Sequence, residues 1–435
     1  MRNPNKLTEI RILLQQLFHG GLFHIFGSSV LAEVGGLLSS VLVIRHLPKL
    51  DYGQYVSANN LYSYLTVFIG LGLTSAVIQF CSERIEQEEK DAIYRFSFRA
   101  GSLFNLLLAG MIVLLSFIKR FQGQPEVAGY LAMMAGIPFV TYVTSLQQTI
   151  LRVLRKNKEY SATNVVITIS KVLGNIIFTY LWGVSGLIAS IYIYNIVSGI
   201  VGTLFLRREG FFQSLRRTDY ALPRKRKWEI TRYATFCSLT NLTSVMLMLL
   251  DVTCLGFVLA DETILADYQV AATIPAACLF VPTGLITYYY PQMVEQLNGE
   301  KDAARSALFR LLKVFTLISA VITVLLVLFA PLIIRIIYGQ KYMNIVPIFR
   351  ILSLNFFVFA AFRKLLGNII AAIKKVKVNL VHTLLCGLCN IGLNLLLIPH
   401  YASLGAAVAT LLSGFLVALL EVCFLRRMFS ASAGA

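Results

Sequence analysis

Residues 378–420 read VNLVHTLLCGLCNIGLNLLLIPHYASLGAAVATLLSGFLVALL, 43 residues without one Asp, Glu, Lys or Arg. About 20 apolar residues cross the hydrocarbon core of a bilayer as a helix, so this stretch is long enough to cross twice. Pro399-His400-Tyr401 supplies the break near its middle. Outward from it, charge-free runs recur at Gly53–Ser82, Ala100–Ile118, Val127–Leu151, Val172–Leu206, Tyr268–Val294 and Val314–Ile334. Val172–Leu206 is again too long for one span, and Trp182-Gly183-Val184-Ser185-Gly186 divides it. Over all 435 residues, hydrophobic types make up 57% and charged types 14%, against roughly 25% charged in soluble domains. That is too little charge to coat a soluble particle or to hold the chain disordered. The chain reads as an all-α polytopic membrane protein of about twelve transmembrane helices.

The expected spans lie near 21–45, 53–80, 96–118, 128–152, 160–181, 184–206, 233–259, 267–294, 311–335, 346–373, 378–398 and 403–425. The formal charge of +18 would suggest nucleic acid in a soluble protein. Here its distribution excludes that, because the bases sit in short loops between apolar runs. One side of the membrane collects 28 Lys and Arg, nine of them in Arg207–Arg232, and the other collects six: Arg45, Lys49, Lys119, Arg120, Arg335 and Lys341. Basic loops stay cytoplasmic, so both termini are expected inside. No short apolar region with a small-residue cleavage site precedes the first span, which is expected to be its own insertion signal. Residues 5–18 mix apolar and charged positions and are expected along the cytoplasmic interface. The expected organisation is an interfacial segment 1–20, a lobe 21–206, a basic linker 207–232, a second lobe 233–427 and a tail 428–435.

The halves repeat. Leu50-Asp51-Tyr52 matches Ala266-Asp267-Tyr268 at an offset of 216, and Arg155-Lys156-x-Lys158 matches Lys374-Lys375-x-Lys377 at 219. At 219 Asn175 also meets Asn394 and Gly186 meets Gly405. Two pseudo-symmetric six-helix lobes around a central cavity are a transporter architecture.

Ser40-Val41-Leu42-Val43-Ile44-Arg45-His46-Leu47-Pro48, followed by Asp51-Tyr52-Gly53-Gln54-Tyr55, resembles the first-loop signature of polysaccharide-exporting flippases. Asp251, Leu255-Gly256 and Ala266-Asp267-Tyr268 resemble it in the second half. Asn390-Ile391-Gly392-Leu393-Asn394-Leu395, Ile398-Pro399 and Gly405-Ala406-Ala407-Val408-Ala409-Thr410 are similar to the C-terminal signature of the same group, and the match runs over residues 20–427. The group is the Wzx-type O-antigen and exopolysaccharide flippases of the multidrug/oligosaccharidyl-lipid/polysaccharide superfamily. The resemblance implies transfer of undecaprenyl-diphosphate-linked oligosaccharide from the cytoplasmic to the periplasmic leaflet of the bacterial inner membrane. It also implies a polysaccharide polymerase and chain-length regulator as partners; with no Walker motif in the sequence, the drive is expected from an ion gradient (H+ or Na+) or from removal of product outside.

Charged groups at mid-membrane depth cost several kcal/mol unless paired or hydrated, so they mark candidate sites. Glu33 shares a face of span 1 with Ser29, Gly36 and Ser40, and Asp251 ends the stripe Asn241, Ser244, Met248 on span 7. Both are ion-coupling candidates facing the cavity; a structural ion pair for Glu33 and a cap for Asp251 are the competing readings. Lys171, Arg363 and Lys364 lie ten to twelve residues from the cytoplasmic end and suit a pyrophosphate, Arg through its bidentate fork. Pairing with Glu33 or Glu421 is their alternative. Asn60, Ser63, Asn241 and Gln269 could bind sugar hydroxyls or join helices. Pro275 and Pro282 should bend span 8. Tyr288-Tyr289-Tyr290 reads as an interfacial belt, and Cys386-x-x-Cys389 as small packing residues.

No nucleophile–base pair, phosphate-cradling glycine loop or metal cluster emerges from the sequence, so no catalytic residue, metal or cofactor is expected. The outer loops are too short for a membrane glycosyltransferase. Residues 81–91 lack the glycine-aspartate-arginine pattern of a major-facilitator permease. A multidrug or small-cation exporter of the same superfamily is the nearest rival.

Overall fold

The computed structural model describes residues 22–83, 85–217, 220–259, 261–286, 301–373 and 375–431. The expected interfacial segment 5–18 and Tyr288-Tyr289-Tyr290 lie outside them. Every regular element among the described residues is helical. The order is α1 (Leu22–His46), α2 (Lys49–Thr66), α3 (Leu73–Cys81), α4 (Gln87–Phe121), α5 (Pro125–Met134), α6 (Ile137–Val153), α7 (Asn157–Arg208), α8 (Phe211–Arg217), α9 (Arg224–Val258), α10 (Glu262–Ala277), α11 (Lys301–Leu328), α12 (Ala330–Ile337), α13 (Val346–Val358), α14 (Lys364–Ala372) and α15 (Val376–Ala431). Among the described residues, eight helical stretches are long and apolar enough to cross a bilayer, and nine if the bent α9 is one span.

Two of the eight, α7 and α15, run through the charge-free stretches that are too long for one span, and each has an elbow. Trp182 and Gly183 leave helical geometry, Gly183 with φ 59° and ψ −135°. Ala402, 219 residues later, repeats it with φ 48° and ψ −131°. The elbows are sharp. In a straight helix residues eight apart are about 12 Å distant, yet a Cβ on Gly186 would stand 1.8 Å from the Phe178 carbonyl oxygen. A Cβ on Gly405 would stand 2.5 Å from that of Leu397. Only glycine lets the returning limb pass this close.

Elsewhere the chain breaks where its own chemistry forces it to. Between α2 and α3 the stretch Ile69–Gly72 is a short 3-10 turn with Gly70, Leu71 and Gly72 at positive φ. The Asn105 side chain accepts the Gly70 N–H at 3.0 Å, which satisfies a donor that the break would otherwise leave orphaned. α10 ends near Cys278, four residues before Pro282, as expected of a proline that cannot donate to that carbonyl; the Val281 N–H bonds Cys278 instead, at 3.2 Å. A π-helical turn at Phe359–Arg363 joins α13 to α14.

The chain forms two compact units. The first holds α1 and the segment from Ala58 to Met246; the second holds Pro48–Ser57 and everything from Leu247 on. In the first, Leu73, Val77, Phe80, Tyr94, Tyr142 and Leu146 pack a buried core that takes in Phe211, Leu222 and Ile230. The segment expected as a linker is therefore folded, as α8 and the first turns of α9. Arg226 anchors it, 3.0 Å from both Glu89 and Glu229 and 3.7 Å from Glu83, with its guanidinium over the Phe80 ring. In the second unit Leu311, Phe315, Leu365, Leu366, Ile369 and Leu425 form the corresponding core. All seven cysteines are free, and Cys386 is buried in packing.

Candidate functional site

Asp251 is a densely hydrogen-bonded polar position in the second unit. α9 carries it into the interior, where it is 8% exposed. Four donors converge on its carboxylate. Asn394 Nδ2 donates to Oδ1 at 2.9 Å and Asn390 Nδ2 at 3.1 Å. Tyr268 Oη donates to Oδ2 at 2.5 Å, and the Thr410 hydroxyl reaches the same oxygen. Asn390 and Asn394 are four residues apart, hence on one face of α15, and Asn394 also donates to Asn390 Oδ1 at 2.9 Å. A buried carboxylate is tolerated only when so surrounded. The Asn394 Oδ1 is buried and accepts nothing. The cluster thus combines one carboxylate with amide and hydroxyl oxygens from α9, α10 and both limbs of α15. As the groups stand, two amide N–H groups and two hydroxyls face the carboxylate and balance its charge.

The first unit has a smaller polar clasp. Asn175 Nδ2 donates to Ser39 Oγ at 2.7 Å, and Ser190 Oγ donates to Asn175 Oδ1 at 2.5 Å. It ties α1 to both limbs of α7, and Asn175 is the repeat partner of Asn394.

The intramembrane bases fall into two settings. Lys171 and Glu33 project from α7 and α1 and interact electrostatically. Their helices approach closely at Gly35, where a Cβ would stand 2.8 Å from Thr168 Cγ2. Glu33 itself is exposed. In the second unit Arg363 stacks its guanidinium over the Phe359 ring at 5.3 Å and acts electrostatically on Glu421. Glu421 is 1% exposed and its Oε2 has no hydrogen-bond partner. Lys364 is half-buried and its carbonyl accepts from Asn368.

A match to the family described as polysaccharide biosynthesis protein covers residues 20–297. The chain belongs to that family. It is 25% identical to an uncharacterized membrane protein of Methanocaldococcus jannaschii, over 94% of this chain and 84% of that one. Solved structures share the fold. The lipid II flippase MurJ in an inward closed conformation aligns with 93% of this chain and 87% of its own, at 16% identity and a TM-score of 0.71. An inward-facing multidrug resistance transporter of the MATE family, in the MOP superfamily, aligns with 92% of this chain and 95% of its own, at 15% identity and a TM-score of 0.70. A MOP superfamily transporter from Pyrococcus furiosus Vc1 aligns with 95% and 93%, at 16% identity and a TM-score of 0.56. The polysaccharide family agrees with the resemblance carried by the Ser40–Tyr55 motif, which lies within the matched residues.

Against this family background, the residues singled out from sequence divide clearly. Asp251 lies where several polar groups meet, but it is turned into the interior of its own unit, and the helical stripe ending in it does not follow it there: Asn241 is exposed. Ser63 donates its hydroxyl to its own helix, to the Asn59 carbonyl at 2.6 Å. Asn60 is buried in the first unit, and Gln269 is half-buried on α10. The functional reading missed Tyr268, Asn390, Asn394 and Thr410 as partners of Asp251. The i, i+4 asparagine pair inside a charge-free run was the available signal.

Proposed function

We propose that this member of the polysaccharide biosynthesis family is a flippase. It would carry undecaprenyl-diphosphate-linked oligosaccharide from the cytoplasmic to the outer leaflet of the bacterial inner membrane, with both termini cytoplasmic and with a polymerase and chain-length regulator acting downstream. The observation that carries the reading is the pairing of family and fold: a polysaccharide-biosynthesis chain with the fold of a lipid II flippase over nine-tenths of its length. A polyprenyl tail can stay in hydrocarbon while its diphosphate and glycan cannot, so the protein must supply polar, cationic surface at depth. Lys171 in the first unit and Arg363 and Lys364 in the second are the groups proposed to meet the diphosphate. Asn60, Ser63, Asn241 and Gln269 are proposed for sugar hydroxyls.

We assign ion coupling to Asp251, since it is a buried carboxylate with no basic partner among its four donors. Glu33 is the second coupling candidate. A multidrug exporter is the alternative, favoured by the comparable likeness to the MATE transporter. The intramembrane bases argue against it, because a cationic drug gains nothing from them while an anionic lipid does.

Purified protein in vesicles decides between the two. A flippase translocates a fluorescent lipid-linked oligosaccharide in response to a Na+ or H+ gradient; an exporter moves cationic dyes and leaves the lipid in place. In a flippase-deficient strain, single replacement of Lys171, Arg363 and Lys364 by Gln should reduce surface glycan in at least one case at unchanged protein level. No effect from any of the three removes them from the substrate path.

A further inference from the structure

Arg45 and His46 belong to the first signature motif, yet the function proposed above gives them no task. They rim a groove of about 540 Å³ between the end of α1 and the first limb of α7, wholly inside the first unit. By the charge distribution this is the outer end of both helices. Val43 and Asn175 floor the groove and are buried, while Leu42, Ile177, Tyr180 and Leu181 rise as exposed walls. The Asn175–Ser39 clasp braces the floor, and the Gly183 elbow follows two residues after Leu181. No Asp or Glu lines the groove. At the rim the His46 ring lies 5.1 Å from that of Tyr180.

We propose that this groove holds the polyprenyl chain of a lipid diphosphate in the outer leaflet, with the diphosphate against Arg45 and His46. The inference rests on the flippase reading, which delivers such a lipid to this side. Charge complementarity selects the occupant. An acid-free furrow of branched and aromatic side chains suits a branched hydrocarbon, and two adjacent cationic-capable side chains suit two phosphates. A guanidinium binds phosphate oxygens in bidentate fashion, and a ring-held imidazole adds a second donor. Phosphatidylglycerol offers one phosphate at that position, and an uncharged polyprenol offers none.

The chain has two tryptophans. Trp182 sits next to Leu181 at the groove and stacks on Phe178 at 5.4 Å, so Trp228→Phe leaves a single reporter beside the site. The full chain in phosphatidylcholine nanodiscs would be titrated with a polyprenyl diphosphate, the matching polyprenol and phosphatidylglycerol. The proposal expects a saturable change in Trp182 emission with the diphosphate, at least tenfold weaker binding of the polyprenol, and at least tenfold weaker diphosphate binding in Arg45→Gln/His46→Gln. Equal affinity for phosphatidylglycerol or for polyprenol overturns it, as does an unaltered affinity in the double variant. Should that variant not fold, Arg45→Lys with His46 intact keeps the charge, and the comparison of titrants on the parent protein still decides. Vesicle flipping by the same preparation separates the two ideas. Flipping without a Trp182 response overturns the groove alone; a response without flipping overturns the flippase reading.

Discussion

Lys49 Nζ lies 2.7 and 2.8 Å from the two carboxylate oxygens of Asp267, although 218 residues separate them. Asn344 Nδ2 completes the site at 2.6 Å from Asp267 Oδ2, and the Tyr342 ring lies beneath the ammonium. Lys49 borders one copy of the repeated Asp-Tyr motif and Asp267 belongs to the other. The segment Pro48–Ser57 is thereby held in the second unit, where a Cβ on Gly53 would overlap the Glu262 backbone. Removing one member of such a pair strands the other in a mostly dry place. Lys49→Met or Asp267→Leu should each cost about 1–3 kcal/mol, and the double replacement less than the sum. Thermal unfolding of the four proteins in detergent measures the cycle. Additive losses would show that the pair carries no coupling.

Asp251→Asn keeps the shape of the cluster and removes its charge. It should leave thermal stability within about 1 kcal/mol in ion-free buffer and abolish ion-dependent stabilisation, which for a bound cation grows with RT ln(1 + [L]/Kd). A melting temperature that still rises with Na+, or flipping that still follows the H+ gradient, would clear Asp251 of coupling.

Within an elbow, positions three residues apart predict opposite signs. Ala402 has φ 48°, a conformation that costs a residue with a Cβ on the order of 1–3 kcal/mol, so Ala402→Gly should gain about 1 kcal/mol. Gly186→Ala and Gly405→Ala should each lose more than about 2 kcal/mol, because backbone and not a flexible side chain occupies the space. Unfolding midpoints of the three variants, with circular dichroism to confirm helicity, provide the check.

Asp261 caps α10, accepting the Thr263 N–H at 2.8 Å and the Thr263 hydroxyl at 2.7 Å. Those bonds, the hydroxyl's first, hold its carboxyl below the usual value. A carboxyl depressed by folding adds stability that is complete above its unfolded value, near 3.9, and is lost as pH falls through the folded value. Asp261→Ala should therefore cost about 1 kcal/mol at neutral pH and progressively less below about pH 4. Asp261→Asn should keep the cap and flatten that acid dependence. Stability measured from pH 7 to 3 tests both.

Much of the fold was legible in the sequence because a bilayer imposes a length. The charge-free runs located the apolar helices, and the breaks expected at 182–186 and 399–401 fall at Trp182–Gly183 and Ala402. The 3-10 turn at Ile69–Gly72 was missed, since Ile-Gly-Leu-Gly inside an apolar run looks like ordinary membrane helix until Asn105, 35 residues away, supplies the bond that permits the break. The π-turn before Lys364 has no local signal. At the site, Asp251 stood out as a lone acid at depth. Its partners did not, because Asn390 and Thr410 lie 139 and 159 residues beyond it, and the Asn390/Asn394 pair marks a polar face without saying which group it meets. Glu421 was noticed only as a counter-charge, and burial to 1% is a property of the packed lobe that composition does not carry.

The two elbows also bear on how the chain enters the membrane. At each, two apolar limbs are joined by one or two residues rather than by a loop. During synthesis no hydrophilic segment has to be pulled through the bilayer at these places, and a limb entering alone would leave its partner's apolar surface in water. Each pair therefore has reason to insert as a single unit, its second limb oriented by the first, so the basic residues at the base of the limbs set the direction of four crossings with two decisions.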